Sequence, residues 1–267
     1  MEAIRDLQAI LIKWGLVDPP IDGILGGQTL AARKMFASMY SISDTTESVI
    51  ATAKQKCPKD IRPINNNVAL VIEECQKKGY YLARGVDAYN IIYIEGVNPD
   101  FTSNSNSIDH WNDIRAILTI EHNGRAYFRN VWRATVNTGR PYTDNPMNPH
   151  GAANLEPGQY WAWQAGRHIT GSMNQEALVQ VKPVPVRRDG NRDGRSKNDK
   201  IEDWEVIGLN QHGGKGSKVG FYSAGCLVVD SFEAQQEFMN ILYGDRRYKI
   251  NKHFIFPTIL ITNSIFQ

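Results

Sequence analysis

The hydrophobic period of this chain changes near residue 89, and that change constrains its architecture more than any other feature of the sequence. Before it, Ile4, Leu7, Ile10, Leu11 and Trp14 recur at three- and four-residue spacing, which places them on one stripe of a helix. Gly15 can end that helix, and Asp18-Pro19-Pro20 and Asp22-Gly23 supply turn chemistry. A second helix is expected from about Thr29, with Leu30, Phe36 and Met39 on one side. Residues 41–88 open polar, contain Pro58 and Pro63, and carry an expected helix over 67–78 with Val68, Val71, Ile72 and Cys75 on its apolar side. From Tyr89 the period becomes two. Ile114, Ala116, Leu118 and Ile120 alternate, Asn123-Gly124 forms a hairpin turn, and Ala126, Phe128, Trp132 and Ala134 alternate again. Further strands are expected at 160–163, 204–209, 227–229 and 254–261, with a helix over 232–242. The fold class is therefore α+β: a small helical module over 1–40, a helical connector over 41–88 and a mainly β domain over 89–267.

With 267 residues and 42% hydrophobic content the chain can bury a sizeable core, and its length suggests one or two domains. A formal net charge of +2 gives no basic field of the kind that nucleic-acid binding uses, so nucleic acid is not an expected partner. No apolar run approaches the roughly 20 residues needed to span a bilayer, and the N-terminus lacks the pattern of a signal peptide. The expectation is a soluble chain without a Sec signal and without membrane insertion. Cys57, Cys75 and Cys226 are too few for a disulfide scaffold, and their spacing matches no zinc motif. If Cys57 pairs with Cys75, Cys226 is left as either a small buried hydrophobe or a reactive thiol.

The neighbours of Cys226 bear on that choice. Gly208-Leu209-Asn210-Gln211-His212-Gly213-Gly214 precedes it, and thirteen residues separate His212 from Cys226 within Tyr222-Ser223-Ala224-Gly225-Cys226. A cysteine attacks an amide only as thiolate, so it needs a nearby base or cation, most often a histidine oriented by a third group. Glycines beside both residues let a substrate backbone approach and leave amide N–H groups for a developing oxyanion.

This layout resembles the L,D-transpeptidase family, whose motif is a histidine, a loop and then Ser-His-Gly-Cys. The resemblance continues upstream, where Asn137-Thr138-Gly139 precedes Glu156-Pro157-Gly158-Gln159-Tyr160, and it covers roughly residues 89–230. It implies Cys226 as nucleophile, His212 as base, Gly213 as the carbonyl that orients the imidazole, and Ser223 and Gly225 as parts of the oxyanion loop. The sequence departs from the family at Ala224, in place of the second motif histidine, and at Val228, in place of an arginine, so substrate handling should differ. It looks closer to a divergent branch ending in Ser-Ala-Gly-Cys, found in phage and bacterial proteins. Residues 1–40 are similar to the peptidoglycan-binding domain of cell-wall enzymes through Leu7-Gln8, Asp22-Gly23, Gly26, Thr29, Ala32 and Phe36, with Ala37 where a glutamine is usual. That resemblance makes Asp22, Gly23, Gly26 and Thr29 candidate substrate-binding residues. A helical hairpin that merely packs on the rest of the chain is the plainer reading.

Asp189-Gly190-Asn191-Arg192-Asp193-Gly194 matches the first half of an EF-hand-like calcium loop, with Asp189, Asn191 and Asp193 as candidate ligands. The expected glutamate at loop position twelve is Lys200, although Asp199, Glu202 or Asp203 could stand in; a self-bonded Asx turn is the alternative. No cofactor is required by the chemistry, and structural calcium is the one metal the sequence suggests. His110, His122, His150, His168 and His253 need no special role, with His168 as the one that could occupy the space of the missing motif histidine. Trp132, Trp161, Trp163 and Trp204 lie in expected strands and read as core. Together these readings imply a cysteine enzyme that acts on the stem peptides of bacterial peptidoglycan, by hydrolysis or transpeptidation, and in a lytic, endolysin-like role. A wall-binding protein with an inactive catalytic-like domain is the rival from another class.

Overall fold

A computed structural model describes residues 1–267 apart from 18–19, 57–59, 86, 172 and 196–198, together with the side chains of 203–205. Cys57, Pro58, the Asp18-Pro19 turn and the side chains of Asp203 and Trp204 therefore lie outside the described residues. In chain order the main elements are α1 (Glu2–Lys13), α2 (Gly27–Tyr40), α3 (Thr46–Gln55), β1 (Arg62–Pro63), α4 (Asn66–Lys77), β2 (Tyr89–Glu95), β3 (Asp113–Ile120) and β4 (Arg125–Thr135). After them come α5 (Arg140–Asp144), β5 (Ala152–Leu155), β6 (Gly158–Thr170), β7 (Met173–Gln180), β8 (Val184–Asp189), β9 (Lys200–Glu205) and β10 (Gln211–Gly213). The chain finishes with β11 (Leu227–Val229), α6 (Phe232–Tyr243), α7 (Arg246–Ile250) and β12 (Phe256–Thr262). The class is α+β, and no helix among the described residues is long and apolar enough to cross a membrane.

The chain divides into two compact units. The first takes residues 1–90 with 118–128 and 243–252. Its helices form where the sequence places caps and stripes. Leu7 and Leu11 are fully buried on α1, and Gly15 takes the positive φ of +69° that ends the helix turn. Asn65 caps α4 by accepting from Val68 N at 3.0 Å. Helix α3 was not expected from the polar run after residue 41; its signals are the Thr45 cap, which accepts from Ser48 N at 3.2 Å, and Val49 and Ala53, four apart and buried. A buried ion pair, Arg247 Nη2 to Asp245 Oδ2 at 2.7 Å, also binds Tyr89 through its N–H and carbonyl and reaches the Gly15 carbonyl. Truncating either partner would strand a buried charge and cost about 3–5 kcal/mol.

The second unit holds residues 91–117, 129–242 and 253–267. Its strands run in the order β4-β11-β10-β7-β6-β12-β2-β3, and β3 also pairs with β4, so the sheet returns on itself as a barrel-like layer. β10 and β11 are parallel, with Gln211, His212 and Gly213 in register with Leu227, Val228 and Val229. A smaller antiparallel sheet runs β5-β8-β9. Arg115 is wholly buried; its guanidinium lies 3.6 Å from the Phe238 ring centre and donates to Gln235 Oε1 at 2.8 Å. Trp132 and Trp163 are core residues, while Trp161 is half-buried on β6.

Two strand expectations need correction. The strand expected at 204–209 is β9 over Lys200–Glu205, and the chain then turns into a loop. Gly208 has φ +79°, and the N–H groups of Ile207 and Leu209 are taken by the side chain of Gln180 rather than by a neighbouring strand. The strand expected at 160–163 continues to Thr170 as one arm of a hairpin with β7.

Candidate functional site

His212 enters the site because β10 is only three residues long and lies between β7 and β11. Its imidazole is 1% exposed. Nδ1 is 3.0 Å from the Gly213 carbonyl, so the proton sits on Nδ1 and Nε2 is left bare. Nε2 is buried and has no partner among the described residues. Gln175 fixes Gly213 from both sides, its Nε2 donating to the Gly213 carbonyl and its Oε1 accepting from Gly213 N, each at 2.9 Å. Burial, then the charges of His168 and Arg115, hold the His212 pKa down to about 3, against the opposing bond from Gly213.

Cys226 stands one residue before β11. Strand alternation gives it the face of Val228, which is in register with His212, and Cys226 and Val228 pack in one cluster with Trp111 and Val219. The thiol donates to the Gly208 carbonyl at 3.4 Å. Burial pushes its pKa up to about 11, opposed by a hydrogen bond from the Asn210 main chain. No hydrogen bond joins Cys226 to His212. The pair rests as neutral thiol and neutral imidazole on one side of adjacent strands.

The loop that carries the cysteine is held from several directions. Ser223 Oγ donates to the Cys226 carbonyl at 2.8 Å and accepts from Gly225 N at 3.2 Å, which commits the Gly225 N–H within the loop. Gly225 has φ +134°, and a Cβ there would lie 2.6 Å from the Ala153 carbonyl on β5. The Asn137-Thr138-Gly139 segment is its other brace: Gly139 N donates to the Ser223 carbonyl at 2.8 Å, and Thr138 N donates to Asn154 Oδ1 at 3.2 Å. Beside the thiol is a cleft of about 240 Å³ whose walls include Tyr142, Met147, Arg188, Ile207 and Ala224. Met147 is 82% exposed, and Phe221, 76% exposed, packs edge-on against Tyr142, which gives the cleft an apolar rim.

His168 is the histidine that the sequence singles out as able to occupy the space of the missing motif histidine. It lies on β6, and its ring is stacked on that of His212 with centroids 4.0 Å apart and planes 6° apart. The other histidines lie elsewhere: His110 contacts Lys218, His150 pairs with Glu202 and His122 packs on Trp14 and Tyr40.

In the first unit, Gln8 is the hub of the loop after α1. Its Nε2 donates to Asp22 Oδ1 at 2.7 Å, to the Ile24 carbonyl at 3.1 Å and to Thr29 Oγ1 at 3.4 Å, while its Oε1 accepts from Gly23 N at 2.8 Å. Gly23 holds φ +78°, and Gly26 is the N-cap of α2. Asp22, Gly23 and Thr29 thus build the loop, and the surface beside them exposes Ile21, Ile24 and Leu30. Cys75 is a free, buried thiol whose pKa burial pushes up to about 12. The Asp189–Asp193 loop closes on itself: Asp189 accepts from Asp193 N and Gly194 N, and Asn191 accepts from Asp193 N. Among the described residues no group of three His, Cys, Asp or Glu is gathered as a metal site.

No family model matches the chain, and no curated protein matches its sequence. Among solved structures, a fused Zn-dependent amidase/peptidase/peptidoglycan-binding domain-containing protein from Clostridium acetobutylicum ATCC 824 aligns at 12% identity and a TM-score of 0.31, over 98% of this chain and 96% of its own. The L,D-transpeptidase (residues 123–326) from Xylanimonas cellulosilytica DSM 15894 aligns at 12% identity and a TM-score of 0.27, over 97% of this chain and 92% of its own. Likeness this slight carries no argument, and the chemistry of this chain is argued from the geometry of its own site.

Proposed function

We propose that this protein is a cysteine enzyme of peptidoglycan, which cleaves or transfers a stem-peptide acyl group through a thioester on Cys226. One observation carries the reading: His212, oriented by the Gly213 carbonyl, keeps a bare and buried Nε2 on the strand beside the cysteine. The thiol turns from Gly208 toward that nitrogen and gives up its proton as sulfur attacks the amide carbon. In this reading the Cys226 main-chain N–H, rather than that of Gly225, which Ser223 Oγ already takes, serves the oxyanion of the tetrahedral intermediate. The imidazolium then returns its proton to the leaving amine as the C–N bond breaks. Water, or an acceptor amine, attacks the thioester with His212 again as base, and the thiol is restored. Burial keeps the resting imidazole neutral, so Nε2 is unprotonated before substrate arrives.

With water as the acceptor the same chemistry releases wall fragments, and the proposed role is then lytic, reached from the cytoplasm through a membrane lesion or carried by a virion. The helical module over 1–40 is proposed as the wall-binding tether. The rival reading, a wall-binding protein with an inert domain, draws on the high thiol pKa and the absent Cys226–His212 hydrogen bond. Incubating purified sacculi with the wild type and with Cys226→Ala, and identifying soluble products by mass spectrometry, separates the two. New muropeptide ends or crosslinks that vanish in the variant support the enzyme; identical products from both proteins sink it.

A further inference from the structure

The catalytic reading uses His212 but gives no task to the second imidazole that lies flat against it. That imidazole is placed by a chain of contacts rather than by chance packing. Asn210 Nδ2 is 3.0 Å from His168 Nδ1, so the amide donates and His168 carries its own proton on Nε2. Asn210 is itself fixed, since its Oδ1 accepts from Gln180 N at 2.9 Å and its carbonyl accepts from Leu227 N at 2.9 Å. One asparagine thus ties the start of β11, one residue past the nucleophile, to the stacked ring.

We propose that His168 is a positioning residue for His212, a flat ring anchored by Asn210 that covers one face of the imidazole and fixes the plane in which Nε2 is presented. The inference rests on the catalytic reading above for its consequence, though not for its geometry. Two neutral rings 4.0 Å apart stack well, whereas two imidazolium rings at that distance repel, so the pair admits one proton at most. The charged and titratable groups acting on His212 are His168 from β6 and Arg115 from β3, with the Cys226 thiol beside β11; β7 presents the neutral Gln175, and no carboxylate is among them. The Arg115 charge, and any proton that His168 takes up, therefore disfavour a lasting imidazolium. The cover keeps water from the ring, and the proton taken from the thiol is passed quickly to the leaving group.

The test uses full-length protein with labelled histidine and follows the imidazole Cε1–H signals by NMR, with His212→Gln assigning the His212 signal. In the wild type the His212 signal should stay that of a neutral ring down to about pH 4. His168→Ala removes the cover, and the midpoint should climb toward the ordinary histidine value of 6.5. His168→Phe keeps a flat ring without a titratable nitrogen, so the midpoint should stay low. On a soluble muropeptide, kcat should fall about tenfold or more in His168→Ala with KM changed less than about twofold, and His168→Phe should recover most of it. Asn210→Ala, which frees the anchor without removing the ring, should fall between them and serves if His168→Ala does not fold. The proposal is overturned if His212 titrates alike in the wild type, His168→Ala and Asn210→Ala, or if phenylalanine is no better than alanine. The predicted titration in a protein whose wild type leaves every muropeptide intact would support the ring's positioning role and count against the catalytic reading alone.

Discussion

Cys226 and His212 rest in the protonation states that burial dictates, a thiol held near 11 and an imidazole held near 3. In the proposed mechanism no ion pair is therefore preformed in the free protein, and the proton moves only when the substrate carbonyl is in place. Two expectations follow for single residues. Cys226→Ala should abolish turnover without unfolding the chain, since a small apolar residue replaces a half-buried thiol. His212→Ala should lower the rate by about two to four orders of magnitude, and the double variant should be little worse than either single one, because the two groups act as a unit. Steady-state rates of muropeptide release from sacculi measure all three. Rates that multiply independently would separate the residues into different tasks. Iodoacetamide should modify Cys226 faster than the buried Cys75, with a rate that rises with pH toward the thiol's own range, readable by peptide mass.

The loops and strands around the pair set a second group of expectations. Gly225→Ala meets both a φ of +134° and the Ala153 carbonyl, so the loop must shift. A cost of about 1–3 kcal/mol in stability is expected, with a larger relative loss of turnover; a melting curve and rate equal to wild type would mean that the loop tolerates another path. At the Asp189–Asp193 loop, calcium is a proposal with a linked proton. Asp199 is pushed up to about 6 by burial and by the charges of Asp189 and Asp193. A cation there would ionise Asp199, so adding calcium should release protons at about pH 6 and almost none at about pH 8, where the group is already charged. It should also raise the melting temperature over chelator-treated protein; identical curves and no proton release remove calcium. At this scale the sequence was legible where the period was clean. β11 and α4 lie within a residue of expectation because apolar alternation and an apolar stripe define them. β6 was cut short at residue 163 because Gln164, Arg167 and His168 break the alternation, and the strand holds through its hairpin with β7 instead. That is why His168 was legible only as a candidate for the space of the missing motif histidine: its partner, His212, is 44 positions away in sequence, and only the β6-β7-β10 order brings the rings together. His212, Gly213 and Cys226 could be read because a motif gathers them within a short segment.

For the whole molecule the question is what the first unit adds to the proposed enzyme, whose candidate site lies wholly in the second. Of the motif residues, Gly23 and Thr29 are buried against Gln8, while Asp22 accepts from Gln8 and keeps its carboxylate at the surface. The exposed surface they support is apolar, with Ile24 64% exposed and Ile21 and Leu30 each more than a third exposed. Removing residues 1–40 outright is a poor probe, since Trp14 packs on Phe36, Tyr40 and His122 and its loss would open the core of the unit. Ile24→Asp is cleaner, because an exposed side chain changes without a cavity. If the first unit is a tether, it acts by raising the local concentration of polymer around the catalytic unit. Ile24→Asp should then weaken co-sedimentation with sacculi and slow their digestion, while a soluble muropeptide is turned over at the wild-type rate and the melting temperature stays within about 2 °C. Equal losses on the polymer and on the soluble peptide would instead make this surface part of the catalytic machinery. Wild-type behaviour on both would place wall binding on another face of the chain.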